Sequence, residues 1–306
     1  METDTRPPEG EADAIHVRDR ATGEVFEEQI YGEQWLRWAY ANPLGRATTR
    51  LIASLPWASA WYGWRMRQPG SRAYIRPFIE QYGLDPDAFA EPVEAYPHFD
   101  AFFRRALKPG ARPIADAAAV LPADGRHLGF ARMGAVNGLF VKGQAFDLAR
   151  LLGDRTLAER YREGPGVLSR LCPTDYHRFH FPAAGVPEDP LTLPGPLYSV
   201  SPFALRQRLS ILWTNRRSLT RLATPALGQV LLMEIGATFV GRIGQSFTAR
   251  QPVGKGQEKG VFGFGASACL TLFEPGRVRL EADLLKAGGE GIELYARQGQ
   301  AMARQA

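Results

Sequence analysis

The feature that most restricts the fold of this chain is the way glycine and proline divide its sequence after Leu107. The apolar stretches GFARM, GLFVKG, GQVLLMEIG and GVFGFG follow one another there, each bounded by turn-forming residues. Short apolar runs with frequent turns favour β-strands over helices. Helical patterns enter this region at 147–162 and around 202–208. We therefore predict an α+β fold whose larger part is a β-rich body.

The part of the chain before this body has a different character. Residues 1–30 are polar and charged with few large apolar side chains, which predicts a flexible arm. Residues 31–98 contain most of the chain's tryptophans, interleaved with arginines at spacings typical of helices. We predict a helical region over 31–98, associated with a membrane surface, and the β-rich catalytic body over 99–306.

Two interpretations of the helical region stay open. Tryptophan is amphipathic and arginine can extend its charge into water, so together they suit a helix lying in the plane of an anionic bilayer. Aromatic stripes also occur where a helix packs on the protein's own core. The residues concerned are Trp35, Trp38, Trp57, Trp61 and Trp64, with Arg37, Arg46, Arg50, Arg65, Arg67, Arg72 and Arg76.

Charge and cysteine content limit the classes of function. The net charge is +5, and only five of the 37 basic residues are lysines, so the positive charge is almost entirely arginine. Such a chain favours anionic partners, but no nucleic-acid-binding motif is present, and nucleic acid is not an expected partner. Cys172 and Cys269 lack the spacing of a zinc site or a disulfide framework. No apolar run is long enough for a conventional membrane span.

Three segments carry the candidate catalytic residues. Ser267 follows a glycine-rich approach, PADG contributes Asp124, and DYHRFHFP contributes His177 and His180. A serine hydroxyl is a weak nucleophile until a base, itself oriented by a third group, activates it. Singly, each residue has an ordinary structural interpretation: a turn aspartate, hydrogen-bonded histidines, a small residue in a packed strand. Their combination is what indicates an activated serine.

These segments, in this order, resemble the phosphatidylserine decarboxylases, a family of self-processing pyruvoyl enzymes. The resemblance covers roughly Phe99 to Phe273. It rests on seven motifs: FFRRALKPGARPI, PADG, VKGQAFDLARLLG, DYHRFHFP, PGPLYSV, EIGATFVGRI and the serine segment KGQEKGVFGFGASACLTLF.

The resemblance implies that Asp124, His180 and Ser267 form a triad that cleaves the chain after Ala266. In this reaction Oγ of Ser267 attacks the carbonyl of Ala266, and the acyl group moves from nitrogen to oxygen. β-Elimination then breaks the ester, and residue 267 loses ammonia to become a pyruvoyl group. The two resulting chains are expected to remain together.

The resemblance also implies the reaction catalysed. The pyruvoyl ketone condenses with the amine of phosphatidylserine and accepts the electrons released with CO₂, leaving phosphatidylethanolamine, without pyridoxal phosphate or a metal. His177 is implied to handle a proton in this step. Tyr176 and Arg178 are secondary candidates for substrate binding, Arg178 for a phosphate. The family further implies a homodimer bound peripherally to the cytoplasmic face of a membrane.

The chain departs from the family pattern at the cleavage site. The residue before the serine is usually glycine and is Ala266 here, and the residue after it is usually threonine and is Ala268 here. A Cβ at position 266 narrows the conformations open to the peptide that must distort, so we expect slower self-processing. Two alternatives stay open: a pyruvoyl decarboxylase of another amine-bearing acid, and a non-cleaving lipid-binding relative that acts as a membrane adaptor.

Overall fold

Three β-sheets make up the body of the protein. The computed structural model describes residues 15–28, 48, 56–136, 146–237, 243–265 and 267–306. The predicted α+β class with a β-rich body is confirmed. The strands are β1 (His16–Asp19), β2 (Val25–Glu27), β3 (Ala119–Val120), β4 (Gly125–Phe130), β5 (Gly166–Leu171), β6 (Arg178–His180), β7 (Val186–Pro187), β8 (Leu191–Leu193), β9 (Arg217–Thr224), β10 (Gly228–Ile235), β11 (Ile243–Gln245), β12 (Glu258–Phe262), β13 (Ser267–Leu272), β14 (Val278–Leu280), β15 (Glu293–Ala296) and β16 (Ala301–Gln305).

Helices lie before the body and over its sheets. Both predicted helical stretches of the body, at 147–162 and around 202–208, contain helices in the structure. The α-helices are α1 (Pro56–Met66), α2 (Ile75–Tyr82), α3 (Phe99–Phe103), α4 (Leu148–Leu152), α5 (Arg155–Arg162), α6 (Pro202–Gln207), α7 (Ile211–Thr214) and α8 (Ala282–Glu290), with 3₁₀ turns at Pro69–Tyr74, Pro86–Ala88, Val93–Ala95 and Met133–Ala135.

The largest sheet has ten strands in the order β2-β1-β15-β4-β5-β13-β10-β9-β7, with β8 also pairing with β9. Strand β13 lies between β5 and β10 and is antiparallel to both. Every residue of β13 is buried, because Ala268, Leu270 and Leu272 pack into one core cluster and Cys269 packs into another. A strand covered on both faces requires a nearly continuous apolar sequence, which SACLTL provides.

Two smaller sheets complete the body. Strands β11, β12 and β6 form one antiparallel sheet, and β14, β16 and β3 form the other. Because β12 belongs to a small sheet and β13 to the large one, the short connection at 263–266 carries the chain from one sheet to the other. The candidate cleavage site therefore lies at a crossover between two sheets.

The prediction of a flexible arm over residues 1–30 is wrong for residues 15–28. Strands β1 and β2 form a hairpin, and β1 pairs in parallel with β15 at the edge of the large sheet. Glu28, the last residue of this segment, is buried and forms ion pairs with Arg170 at 2.7 Å and with Arg126 at 2.6 Å. The charge of Glu28 is thus neutralised by arginines far away in the sequence, while Arg18 and Arg20 pair with Glu290 and Asp283.

A cluster of aromatic side chains joins the helical region to the body. Phe78 of α2, Phe99 and Phe102 of α3, and Phe89 between them pack around one another. Phe264, from the connection between β12 and β13, packs into the same cluster against Phe99, with ring centroids 5.4 Å apart. The helical region thus contacts the cleavage segment directly.

Among the described helices, none has the length and apolarity to cross a bilayer.

Candidate active site

The candidate nucleophile begins the central strand of the large sheet. Ser267 is the first residue of β13 and is fully buried. Its Oγ has no hydrogen-bond partner among the described residues. Gly265, two residues earlier, has φ +131°, a conformation that favours glycine. Ala266, the other half of the predicted cleavage site, lies outside the described residues.

A small apolar cluster brings the three candidate segments together. It contains Ala123, Leu171, Phe179 and Cys269, with Phe262 of β12. Ala123 precedes Asp124, Phe179 precedes His180, and Leu171 is the strand partner of Ser267. The cluster therefore places the candidate carboxylate, base and nucleophile around one buried core, although they are far apart in sequence.

Asp124 is held by contacts that the sequence motif did not reveal. Arg112 donates to both of its carboxylate oxygens, at 2.9 Å from Nε to Oδ1 and 2.5 Å from Nη2 to Oδ2, and the backbone N–H of Gln298 donates to Oδ1 at 2.8 Å. The next residue is Gly125, and a larger residue is excluded there because its Cβ would lie 2.4 Å from the carbonyl oxygen of Arg170. The PADG turn thus packs directly on β5 and fixes a buried carboxylate.

His180 ends β6 and has one ring nitrogen engaged. Its Nδ1 lies 3.1 Å from the carbonyl oxygen of Gly256, and its Nε2 is buried without a partner among the described residues. Burial lowers the pKa of His180, while the Gly256 carbonyl and the charges of Glu258 and Asp124 act to raise it. The ring is therefore neutral near pH 7.

His177 has the same arrangement in a deeper position. Its Nδ1 lies 2.9 Å from the carbonyl oxygen of Asp175, and its ring packs on Phe103 with centroids 4.0 Å apart. Burial lowers the pKa of His177 to about 3, opposed by the carbonyls of Asp175 and Gly265. Its Nε2 makes no well-formed hydrogen bond to a described residue. Phe103 also packs on Phe264, with ring centroids 4.9 Å apart, so the His177 ring lies close to the cleavage segment.

The carbonyl contacts determine the tautomer of both histidines. A carbonyl oxygen only accepts, so Nδ1 of His177 and of His180 must carry the proton and donate it. Each Nε2 then presents a lone pair that no described residue occupies. Both rings are therefore arranged as neutral bases whose reactive atom is Nε2.

The predicted aspartate–histidine hydrogen bond of the triad is not formed in this structure. The carboxylate of Asp124 is occupied by Arg112 and Gln298, and Nδ1 of His180 by Gly256. Asp124 still lies close enough for its negative charge to favour protonated His180. The structure thus assembles the three residues around one core without linking them by hydrogen bonds.

The two secondary candidates differ in what they contact. Tyr176 is buried and stacks near His180, with ring centroids 5.8 Å apart, and burial raises its pKa to about 12. Arg178 pairs with Glu258 at 2.7 Å and donates to the carbonyl oxygens of Arg104 and Arg105. The guanidinium of Arg178 is therefore engaged within the protein, which argues against the predicted phosphate contact.

Sequence reasoning missed two arginines at this site. Arg112 holds Asp124, and Arg105 lies behind His177, where its Nη2 donates to the carbonyl oxygens of Thr174 and Asp175. Both belong to the motif FFRRALKPGARPI, whose paired aromatics and basic residues were the available signal.

No group of metal-ligating side chains occurs within the described ranges.

Comparisons with known proteins agree with the motifs. Residues 99–303 match the family model described as Phosphatidylserine decarboxylase. Proteins named Phosphatidylserine decarboxylase proenzyme from Fusobacterium nucleatum subsp. nucleatum and Chlamydia pneumoniae are 37% and 38% identical to this chain over 288 residues. One from Chlamydia caviae is 38% identical over the same length. Each alignment covers 94% of this chain and 96% of the relative.

Proposed function

The chain belongs to the phosphatidylserine decarboxylase family, and we propose from this that it converts phosphatidylserine to phosphatidylethanolamine and CO₂ after cleaving itself before Ser267. The observation that carries the proposal concerns three of the buried polar atoms that have no hydrogen-bond partner among the described residues: Oγ of Ser267 and Nε2 of His177 and His180 lie on the candidate catalytic segments. Buried polar groups are rarely left unpaired without a functional reason. These three lie on segments that meet at the cleavage crossover.

Self-cleavage requires a base for the Ser267 hydroxyl. Nε2 of His180 has the free lone pair, and its neutral state suits it to accept that proton. The carboxylate of Asp124 favours the protonated ring through its charge. As the proton leaves, Oγ bonds to the carbonyl carbon of residue 266, and the amide bond from that carbon to the nitrogen of residue 267 breaks, which leaves an ester and an amine. Elimination across Cα and Cβ of residue 267 then breaks the Cβ–O bond and releases the carboxylate of residue 266, and water displaces the nitrogen as ammonia to give the ketone.

The site fits the pyruvoyl group that the family implies. A buried serine with an unengaged hydroxyl at the start of a rigid central strand holds residue 267 in place before and after cleavage. When formed, the group supplies an electron-accepting carbonyl for the substrate amine. His177 contributes Nε2, a neutral lone pair in a water-poor position, to hold or move a proton during decarboxylation.

The strand order would keep the two cleavage products together. Residues 267–306 supply β13, which lies between β5 and β10, and β15, which lies between β1 and β4. They also supply α8, which packs against β4 and β15. Separation would therefore break the large sheet at two places, and we expect the small chain to stay bound after cleavage.

The helical region supports a membrane surface as the place of action. Trp61 and Trp64 of α1 have 54% and 53% of their surface exposed, so they do not serve the protein's own core. Beside Trp61 lies a pocket of about 330 Å³ with aromatic walls that include Phe264 of the cleavage segment. A pocket with aromatic walls, one of which belongs to the cleavage segment, suits a lipid substrate. Assembly as a homodimer on the cytoplasmic face stays a prediction.

The substrate class can be tested by measuring CO₂ release from the purified protein. We expect release from phosphatidylserine in mixed vesicles and none from free serine, because the exposed tryptophans and the aromatic pocket would serve only a lipid. Phosphatidylcholine vesicles with added free serine control for vesicle effects. Release from free serine alone would instead favour a pyruvoyl decarboxylase of another amine-bearing acid.

The membrane surface can be tested with Trp61→Ala and Trp64→Ala combined. Because both side chains are already exposed, the fold should keep its stability while sedimentation with anionic vesicles falls about tenfold or more. The matched control is Leu191→Ala, which removes a comparably exposed apolar side chain, 55% accessible, from β8 and does not touch this pocket. Unchanged sedimentation of the double variant would contradict an interfacial role for α1.

A further inference from the structure

Arg105 stands apart from the other buried arginines. Four arginines are buried in the described part of the chain. Arg126 and Arg170 each pair with carboxylates, and Arg217 donates to the carbonyl oxygens of Leu151, Trp213 and Asn215. Arg105 has no carboxylate partner among the described residues, and both its Nε and its Nη1 lack any hydrogen bond there.

Apart from the carbonyl oxygens of Thr174 and Asp175, which accept from Nη2, the surroundings of Arg105 are mainly aromatic. Its guanidinium carbon lies 5.2 Å from the ring centroid of Phe89 and 5.0 Å from that of Phe102. The hydroxyl of Tyr96, which packs on the same Phe102 ring, is also buried without a well-formed hydrogen bond. Burial lowers the pKa of Arg105 to about 10, so it remains a cation near neutral pH. A buried cation beside further donors calls for an anionic oxygen.

Arg105 also lines a cleft through which such an anion can arrive. The cleft has a volume of about 650 Å³ and lies between the turn after α2 and the catalytic body. Its walls include Lys108 and Arg297, and also Asp85 and Asp87 near its rim. Two other arginines, Arg112 and Arg126, also line the cleft, but carboxylates already neutralise their charges.

Arg105 is adjacent to the residue proposed for decarboxylation. Its Nη2 and Nδ1 of His177 both lie within 3.2 Å of the same oxygen, the carbonyl of Asp175. The charge of Arg105 also helps to keep His177 neutral. In a phosphatidylserine head group, only Cα, Cβ and an ester oxygen separate the amine from the phosphorus. A phosphate held at Arg105 would therefore leave the amine within the region of His177.

We propose that Arg105 is a substrate-binding residue that receives the phosphodiester monoanion of the phospholipid head group. The proposal rests on the function proposed above and names the group that positions the lipid. The substrate carboxylate is a poorer occupant, because an arginine that stabilises it would oppose its loss as CO₂. Nε and Nη1 of Arg105 lack partners among the described residues, and each can donate a charge-assisted hydrogen bond to a phosphate oxygen.

The test uses the mature protein and soluble head-group probes. Titration calorimetry compares glycerophosphoethanolamine, ethanolamine and inorganic phosphate on the unmodified chain, Arg105→Gln, Arg105→Lys and Arg104→Gln. Arg104→Gln is the matched control, since the neighbouring side chain pairs with Asp100 and does not line the cleft. We expect Arg105→Gln to weaken glycerophosphoethanolamine binding about 10- to 100-fold. Arg105→Lys should restore part of that binding, and ethanolamine binding should not change.

The same variants give a kinetic readout. Arg105→Gln should raise KM for phosphatidylserine with kcat nearly unchanged, because the phosphodiester is bound equally in the ground and transition states. Self-cleavage, followed on denaturing gels, should proceed normally in both Arg105 variants. Equal binding of the diester by Arg105→Gln and the unmodified chain would overturn the proposal, as would a lowered kcat with unchanged KM.

The remaining outcomes separate the sources of phosphate. Binding of both inorganic phosphate and the diester, with both weakened in Arg105→Gln, supports a phosphate site that a head group can use. Binding of inorganic phosphate but not of the diester overturns the head-group assignment, and so does the absence of any diester binding. If the unmodified chain binds the diester at Arg105 but releases no CO₂ from phosphatidylserine, the proposed function fails while the binding site stands.

Discussion

Replacing Ser267 with alanine is expected to leave the chain uncut and to abolish CO₂ release. The variant lacks the Oγ that must bond to the carbonyl carbon of residue 266, so neither the ester nor the new N-terminus can form. Removing a hydroxyl that has no partner costs little stability, and the fold should persist. Denaturing intact-mass spectrometry should find a fragment of residues 267–306 with a pyruvoyl N-terminus only in the unmodified protein.

A matched control exists in the same sheet. Thr220 of β9 is also fully buried with an unpartnered hydroxyl, but it does not lie on the cleavage segment. Thr220→Val should therefore cleave as the unmodified chain does. A full-length chain in the unmodified protein as well would mean that Ala266 blocks cleavage or that a partner is missing, and the non-cleaving membrane adaptor would become the better hypothesis. Cleavage of Ser267→Ala would refute the assigned nucleophile.

The second large effect should separate the two histidines. His180→Ala is expected to stop self-cleavage, because it removes the base proposed for Ser267. His177→Ala is expected to cleave and form the pyruvoyl group, yet to lose about 10²- to 10⁴-fold in CO₂ release, the range for loss of a proton-transfer group. Intact mass reports the first step and the rate of CO₂ release reports the second.

Stability measurements keep this comparison clear. His177 is buried and packs on Phe103, so its alanine variant should also be followed by thermal unfolding. His177→Gln keeps more of the side-chain volume and serves as the second variant. His16→Ala, at the exposed first position of β1, is the control. If folded His177 variants fail to cleave, or folded His180→Ala cleaves fully, the proposed division of roles is wrong.

Some parts of the site could be predicted because their signal is local. PADG and DYHRFHFP carry the residue types that acid–base chemistry needs, and Ser267 opens an apolar run of strand length. Which partner each group contacts is not local. Asp124 pairs with Arg112 rather than with His180, and no spacing in the sequence distinguishes these two outcomes.

Long-range charge pairing explains the largest error in the fold. Residues 15–28 appeared too polar to be ordered, yet they form the β1–β2 hairpin at the edge of the large sheet. Glu28 is buried because Arg170 and Arg126 meet it from β5 and β4. Amino-acid composition gives only the number of charged residues, whereas the burial of a charged side chain depends on whether the fold places an opposite charge beside it.

Turn residues, apolar periodicity and motif order are encoded along the chain, so they were enough to predict the α+β class, the β-rich body, the family and the candidate catalytic residues. Which buried polar atoms stay unpaired depends instead on the packed fold. Among the described residues, Nε2 of His177 and His180, Oγ of Ser267, and Nε and Nη1 of Arg105 are left without a hydrogen-bond partner by packing between segments far apart in sequence. Burial and hydrogen bonding belong to the assembled core, and no stretch of sequence specifies them alone.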